Sequence, residues 1–206
     1  MTLSKPPRRV CVFCGSACGT DPALLVAARD LGASLARAGL GVVYGGATVG
    51  LMGAMADGAL DAGGHVVGVI PSSLVARELA HQGLPDLRVV ATMHERKALM
   101  ADLADAFVAL PGGLGTLDEF FEILTWAQLG LHAKPCALLN VNGYYDALLG
   151  FLDHATRAGL VARDHREMIL VATDVPSLVA AVGRAMARPG AASVGPPGDA
   201  VGRNGR

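Results

Sequence analysis

Along this chain, short runs of consecutive apolar residues alternate with longer segments in which apolar residues recur at helical spacing. The runs predict strands at Arg9 to Gly15, Gly41 to Tyr44, His65 to Ile70, Leu87 to Ala91, Ala106 to Leu110, Pro135 to Asn140 and Glu167 to Ala172. The periodic segments predict helices at Asp21 to Ala38, Gly50 to Ala62, Met93 to Asp105, Thr116 to Leu129, Tyr144 to Ala158 and Val175 to Ala187. In VVGVI, FVAL and CALL no polar residue breaks the run, so these strands are apolar on both faces and need helices on both sides. The expected fold is α/β, a doubly wound, Rossmann-like three-layer sandwich with a mostly parallel sheet. Residues 9–187 form a single nucleotide-binding domain in this reading, between an N-terminal tail (1–8) and an APGS-rich, flexible C-terminal tail (188–206).

Composition narrows the function. The chain has 206 residues, enough for one ordinary domain, with 17 basic and 18 acidic side chains and a net charge of -1. That balance argues against nucleic-acid and membrane-surface partners, so any anionic ligand must be met by local features. The stretch Ala38 to Ala56 lacks charge but carries a Gly45-Gly46 turn at its centre, which argues against a membrane span. After MTLSKPPRR the apolar stretch is too short for a signal peptide, and a cytoplasmic location is expected. Cys11 and Cys14 fall on opposite faces of their strand, Cys18 and Cys136 have no partners at ligand spacing, and no metal site is expected.

Glycine is the compositional outlier, with 27 residues in an otherwise apolar chain. Three clusters follow strands: Cys14 to Gly19, including Ser16; GGATVGLMG, Gly45 to Gly53; and PGGLGTLDEFFE, Pro111 to Glu122. Open α/β sheets bind ligands at such strand ends, so the three loops are expected to line one crevice. A dinucleotide fingerprint does not fit, because Ala47 stands at the middle glycine position and Asp118 where a last glycine would be. No G-K-[ST] follows either, which removes the Walker A reading. What remains is a helix N-terminus with free amides and glycines that permit close approach, a site for a single phosphate. The competing reading is structural: Thr116-x-x-Glu119 has the spacing of a capping box.

Arg96 weighs against that second reading. Met93, Leu99, Met100, Leu103, Ala104 and Phe107 form one helical stripe, and Arg96 falls inside it, near the end where the dipole disfavours a cation. An anion or carboxylate must meet it, or the arginine snorkels to solvent. The natural partner is the glycine loop after the next strand, with Glu119, and Lys97 lies at the stripe's edge.

MHERKALM (Met93 to Met100) with PGGLGTLDE (Pro111 to Glu119), preceded by CVFCGS and GGATVGLMG, resembles the LONELY GUY family of cytokinin riboside 5′-monophosphate phosphoribohydrolases over about Arg9 to Ala185. The resemblance implies hydrolysis of the N-glycosidic bond of an AMP-like or cytokinin nucleoside 5′-monophosphate, without a cofactor. It implies Arg96 and Glu119 as the catalytic pair and Gly112, Gly113, Leu114, Gly115 and Thr116 as the phosphate loop. Glu78, Lys97 and Thr125 are implied as further nucleotide contacts, with Ser16, Gly45 and Gly46 from the other two loops. A homo-oligomer, dimer or higher, is implied, with the site at or near the subunit interface. Ala47 departs from the third glycine that many relatives carry. Lysine decarboxylation needs a Schiff-base lysine, and Lys5, Lys97 and Lys134 are the chain's lysines, none in a strand-end loop. A non-catalytic nucleotide or cofactor carrier on the same fold remains the alternative function.

Overall fold

In the computed structural model, which describes residues 7–75 and 80–188, strands and helices alternate along the chain. The order is β1 (Arg9–Phe13), α1 (Pro22–Arg37), β2 (Gly41–Tyr44), α2 (Gly50–Asp61), β3 (Val66–Pro71), α3 (Ser72–Val75), β4 (Asp86–Val90) and α4 (Met93–Leu103). It continues with β5 (Ala106–Ala109), α5 (Leu114–Gln128), β6 (Cys136–Leu139), a 3₁₀ turn (Val141–Gly143), α6 (Asp146–Arg157), α7 (Arg163–Glu167), β7 (Ile169–Ala172) and α8 (Val175–Met186). The strands form one 7-stranded sheet in the order β4-β3-β2-β1-β5-β6-β7. Every pairing in it is parallel.

The chain enters at the centre of the sheet, winds outward to β4, and crosses back to β5 on the other side of β1. The two halves therefore diverge between β1 and β5, and the crevice of a doubly wound sheet opens above their carboxyl ends. The loop after β2 lies beside them, because β2 is the other neighbour of β1. Three glycine clusters that are distant in sequence thus become neighbours, as expected.

Strand alternation divides the core into two layers. Val10, Val12 and Cys14 pack with buried residues of α1, α2 and α8, while Cys11 and Phe13 pack on the other face with α4, α5 and α6. The two cysteines do fall on opposite faces. Side chains fix several helix starts: Asp21 accepts from the Ala23 amide at 2.8 Å, and Asp174 accepts from the Ser177 amide at 2.8 Å. Thr92 and Glu95 serve α4 together, Thr92 accepting from the Glu95 amide and Glu95 from the Ala91 amide.

Some boundaries differ from the sequence expectation. Helix α5 starts at Leu114 with Gly113 as its N-cap, so Thr116 lies inside the first turn and the Thr116-Glu119 capping box does not form. Helix α4 ends at Leu103, and Phe107 belongs to β5 and not to the helical stripe. Helix α6 begins only at Asp146, because Asn142 (φ 49°) and Gly143 (φ 75°) turn the chain first. Arg8, assigned to the N-terminal tail, donates to the Met186 carbonyl at 2.9 Å and accepts from the Gly41 amide. The C-terminal tail from Pro189 onward lies outside the described residues.

Candidate active site

A cavity of about 370 Å³ opens at the carboxyl ends of β1 and β5. Cys14, Gly15 and Ser16 border it from the β1 loop, Met52 from α2, Leu74 from α3, and Met93 and Arg96 from α4. The opposite wall is the start of α5, with Gly113, Leu114, Gly115, Thr116, Asp118 and Glu119. A larger groove, about 600 Å³, lies between α1 and α2. Its charged groups include Arg29 and Asp61, which pair with each other, and it is remote from the strand ends. The smaller cavity is therefore the candidate site.

Arg96 is the fourth residue of α4, in its first turn, and is buried. Its Nε donates to the Val69 carbonyl at 3.1 Å and its Nη2 to the Gly45 carbonyl at 3.3 Å. Its Nη1 lies 3.5 Å from Oε1 of Glu119. Thus β2, β3, α4 and α5 all meet at one guanidinium. Gly45 makes this possible, because a Cβ there would stand 2.0 Å from Nη2 of Arg96. The pair is nearly closed to solvent, with side-chain exposures of 7% for Arg96 and 11% for Glu119. Burying two charges carries a desolvation cost that their attraction only partly offsets, so stability alone is a weak reason to keep them. In a cavity wall, a fixed carboxylate and a fixed guanidinium can act on charge that develops in a substrate.

The amides of Leu114, Gly115 and Thr116 begin α5 and have no acceptor within the helix, which leaves that end suited to an anion. Gly112 packs behind them, where a Cβ would meet Oγ1 of Thr116 at 2.1 Å and the Gly15 amide nitrogen at 2.8 Å. Cys14 contributes a wall and not a nucleophile, since burial, and then the charge of Glu119, push its thiol well above the usual range.

The other sequence-predicted residues are distributed differently. Ser16, Gly113, Leu114, Gly115 and Thr116 line the cavity. Lys97 runs along α5, where it pairs with Glu122 at 2.7 Å and Asp118 at 3.2 Å. Its hydrogen bond to Glu122 raises its pKa and holds it protonated. Thr125 faces away: its hydroxyl donates to the Phe121 carbonyl at 2.7 Å, and it borders a separate cavity of about 110 Å³ between α5 and α7. Gly46 packs against Ile70 and Leu87, and its carbonyl accepts from the His81 amide. Ala47 is fully buried and bridges to Ala80, so this loop packs on its neighbours at the position where a third glycine is absent. Glu78 lies outside the described residues.

Sequence reasoning missed Met52 and Leu74 in the wall and the carbonyls of Val69 and Gly45 behind Arg96. A carbonyl has no residue signature, and Leu74 belongs to a helix too short to show periodicity. Among the described residues, no group of three or more His, Cys, Asp or Glu is placed to hold a metal ion.

Comparison with known proteins places the chain among characterised relatives. A family model described as "possible lysine decarboxylase" matches residues 52–182. A cytokinin riboside 5′-monophosphate phosphoribohydrolase of Rhodococcoides fascians is 52% identical over 177 residues, 85% of this chain and 89% of that protein. One from Arabidopsis thaliana is 49% identical over 172 residues, 84% of this chain and 80% of that protein. Among solved structures, the molybdenum cofactor carrier protein of Chlamydomonas reinhardtii superposes with a TM-score of 0.66 at 26% identity, covering 88% of this chain and 99% of its own.

Proposed function

The chain belongs to the family of cytokinin riboside 5′-monophosphate phosphoribohydrolases, and we infer from that membership that it hydrolyses the N-glycosidic bond of a nucleoside 5′-monophosphate. Water adds its hydroxyl to C1′ of the ribose, the C1′–N bond breaks, and the departing base takes up a proton. The products are a free adenine-type base and ribose 5-phosphate. The observation that carries this reading is the buried Arg96–Glu119 pair in the wall of the cavity that also holds the glycine-rich start of α5.

The chemistry follows from charge. As the bond breaks, the ribose gains positive character, as in glycoside hydrolysis, and the leaving base gains negative character. Glu119 stabilises the sugar cation and orients or deprotonates the attacking water. The guanidinium of Arg96 offers several N–H donors and no acceptor, so it acts by electrostatic stabilisation and by holding substrate, not as a general acid. The amides at the start of α5 take the 5′-phosphate.

The substrate is AMP-like or a cytokinin riboside 5′-monophosphate. Leu114 and Met93, two large apolar side chains exposed at the same cavity, support assembly of a homo-oligomer in which a second copy covers them. Unpaired thiols at Cys11, Cys14, Cys18 and Cys136 support a reducing, cytoplasmic location. Among the described residues, no helix is long and apolar enough to cross a membrane. Lysine decarboxylation does not suit the site, since among the described residues no lysine lines the cavity and Lys134 is bonded to the Ala101 carbonyl. A carrier function, as in the name of the Chlamydomonas protein, needs the phosphate site but not a buried Arg96–Glu119 pair. Incubation with AMP, followed by chromatography, distinguishes the two. Hydrolysis yields free adenine, whereas a carrier is thermally stabilised by the nucleotide and forms no product.

A further inference from the structure

Two adjacent tyrosines outside the cavity bond to the backbone of the glycine loop. The hydroxyl of Tyr145 donates to the Leu110 carbonyl at 2.6 Å, and that of Tyr144 donates to the Gly112 carbonyl at 2.8 Å. Between them, the Pro111 carbonyl accepts from the Gly15 amide at 3.2 Å. Three consecutive carbonyls are thus taken by donors from other parts of the chain. The Gly113 carbonyl, next in line, accepts from the Leu117 amide within α5. In a planar peptide unit the amide points opposite to the carbonyl, so holding the Pro111 and Gly112 carbonyls fixes the amides of Gly112 and of Gly113, the N-cap of α5. The Leu110 unit, which ends in Pro111 and has no N–H, anchors the loop where it leaves β5.

The tyrosines are themselves held firmly. Asn140, at the end of β6, accepts from the Tyr145 amide at 2.7 Å and donates to Asp146 at 2.7 Å. Its own amide bonds to the Ala172 carbonyl of β7. The 3₁₀ turn then places the two rings edge to face with centroids 5.0 Å apart. Tyr145 is buried, and burial keeps its phenol protonated and so a donor. Tyr144 is 47% exposed, although its hydroxyl still reaches the loop. Its ring packs on Tyr145 and its hydroxyl holds Gly112, and a change to Phe keeps the first contact while removing the second.

We propose that Tyr144 and Tyr145 are positioning residues that pin the carbonyls of Gly112 and Leu110 and so preorganise the amides at the start of α5 for the substrate's 5′-phosphate. This rests on the reading of that loop as the phosphate site. A loop already fixed in its binding geometry spares the ligand the cost of ordering it. The tyrosines therefore act on phosphate affinity and not on bond cleavage.

The test uses Tyr144→Phe, Tyr145→Phe and the double variant, with Val175→Ala, buried on the other face of the sheet, as a variant destabilised for unrelated reasons. Calorimetry measures Kd for AMP, ribose 5-phosphate and adenine, and steady-state kinetics measures KM and kcat for AMP. Loss of one hydroxyl is expected to weaken AMP and ribose 5-phosphate by the same factor, about threefold to tenfold, while adenine binding and kcat stay near wild type. Val175→Ala should lower Tm without moving any of the three Kd values. Tyr144→Phe, at an exposed site, keeps the test open if Tyr145→Phe fails to fold. Unchanged Kd for ribose 5-phosphate in Tyr144→Phe, or an equal loss for adenine, would overturn the proposal. If the wild type releases no base from AMP or from a cytokinin riboside 5′-monophosphate, the hydrolase reading fails separately, and ribose 5-phosphate binding still decides the role of the tyrosines.

Discussion

At the level of single residues, the site depends on Arg96 being placed where an arginine is costly. Its guanidinium is satisfied by two carbonyls and one carboxylate, and each of those partners comes from a different element. The sequence made the conflict visible, since a cation inside an apolar stripe demands a partner, and Glu119 was the partner expected. It did not reveal that Gly45 leaves the room. In Gly45→Ala the new methyl would stand 2.0 Å from Nη2 of Arg96 and 2.3 Å from Cε of Met52, so the guanidinium must shift from its place beside the Gly45 carbonyl. Kinetics on the purified variant should show kcat reduced by about 10²-fold, the scale of a roughly 1 Å misplacement in a catalytic group. Turnover at the wild-type rate would mean that Arg96 need not occupy this position.

At the level of elements, the parts legible in the sequence were those with a strong period. Strands β2 and β5 and the long helices emerged within a few residues of their expected ends. Helices α3 and α7 and the 3₁₀ turn did not, because each is too short for periodicity to register. The same holds for packing between helices. Gly32 and Gly58 look like weak points in α1 and α2, yet a Cβ on Gly32 would stand 1.9 Å from the Met55 carbonyl, so they let the two helices cross in close contact. The connection from α5 to β6 depends on His132, whose Nε2 bonds to the Ile123 carbonyl at 3.0 Å while Nδ1 accepts from the Lys134 amide at 3.1 Å. Both bonds suit a neutral ring with its proton on Nε2. Burial lowers the pKa of His132 below its ordinary 6.5. The unfolded chain therefore takes up this proton first on acidification, so the stability His132 contributes is complete above its ordinary pKa and declines as pH falls through and below it. Urea unfolding between about pH 7.5 and pH 5 should show wild-type stability falling more steeply than that of His132→Asn, which lacks the titrating ring. Parallel slopes for the two proteins would contradict the neutral assignment.

At the level of the molecule, topology turns sequence fragments into a site. The order β2-β1-β5 brings the loops after those strands together, which the alternation of elements was sufficient to predict. The assignment of residues within the crevice was less legible. Lys97 is engaged with α5, and Thr125 faces the α7 side, because a helix of known extent does not specify which of its neighbours a side chain will meet. The fold itself does not choose the chemistry, since the Chlamydomonas carrier shares it. What separates hydrolysis from carriage is whether the Arg96–Glu119 pair acts on the glycosidic bond, and the most direct measurement is kcat for adenine release from AMP by Glu119→Gln beside the wild type. Glutamine preserves the size of the side chain and removes the charge, so the variant should fold with near-normal Tm and still bind ribose 5-phosphate, with kcat lower by about 10²-fold or more. A folded Glu119→Gln protein that releases adenine at the wild-type rate would contradict the account.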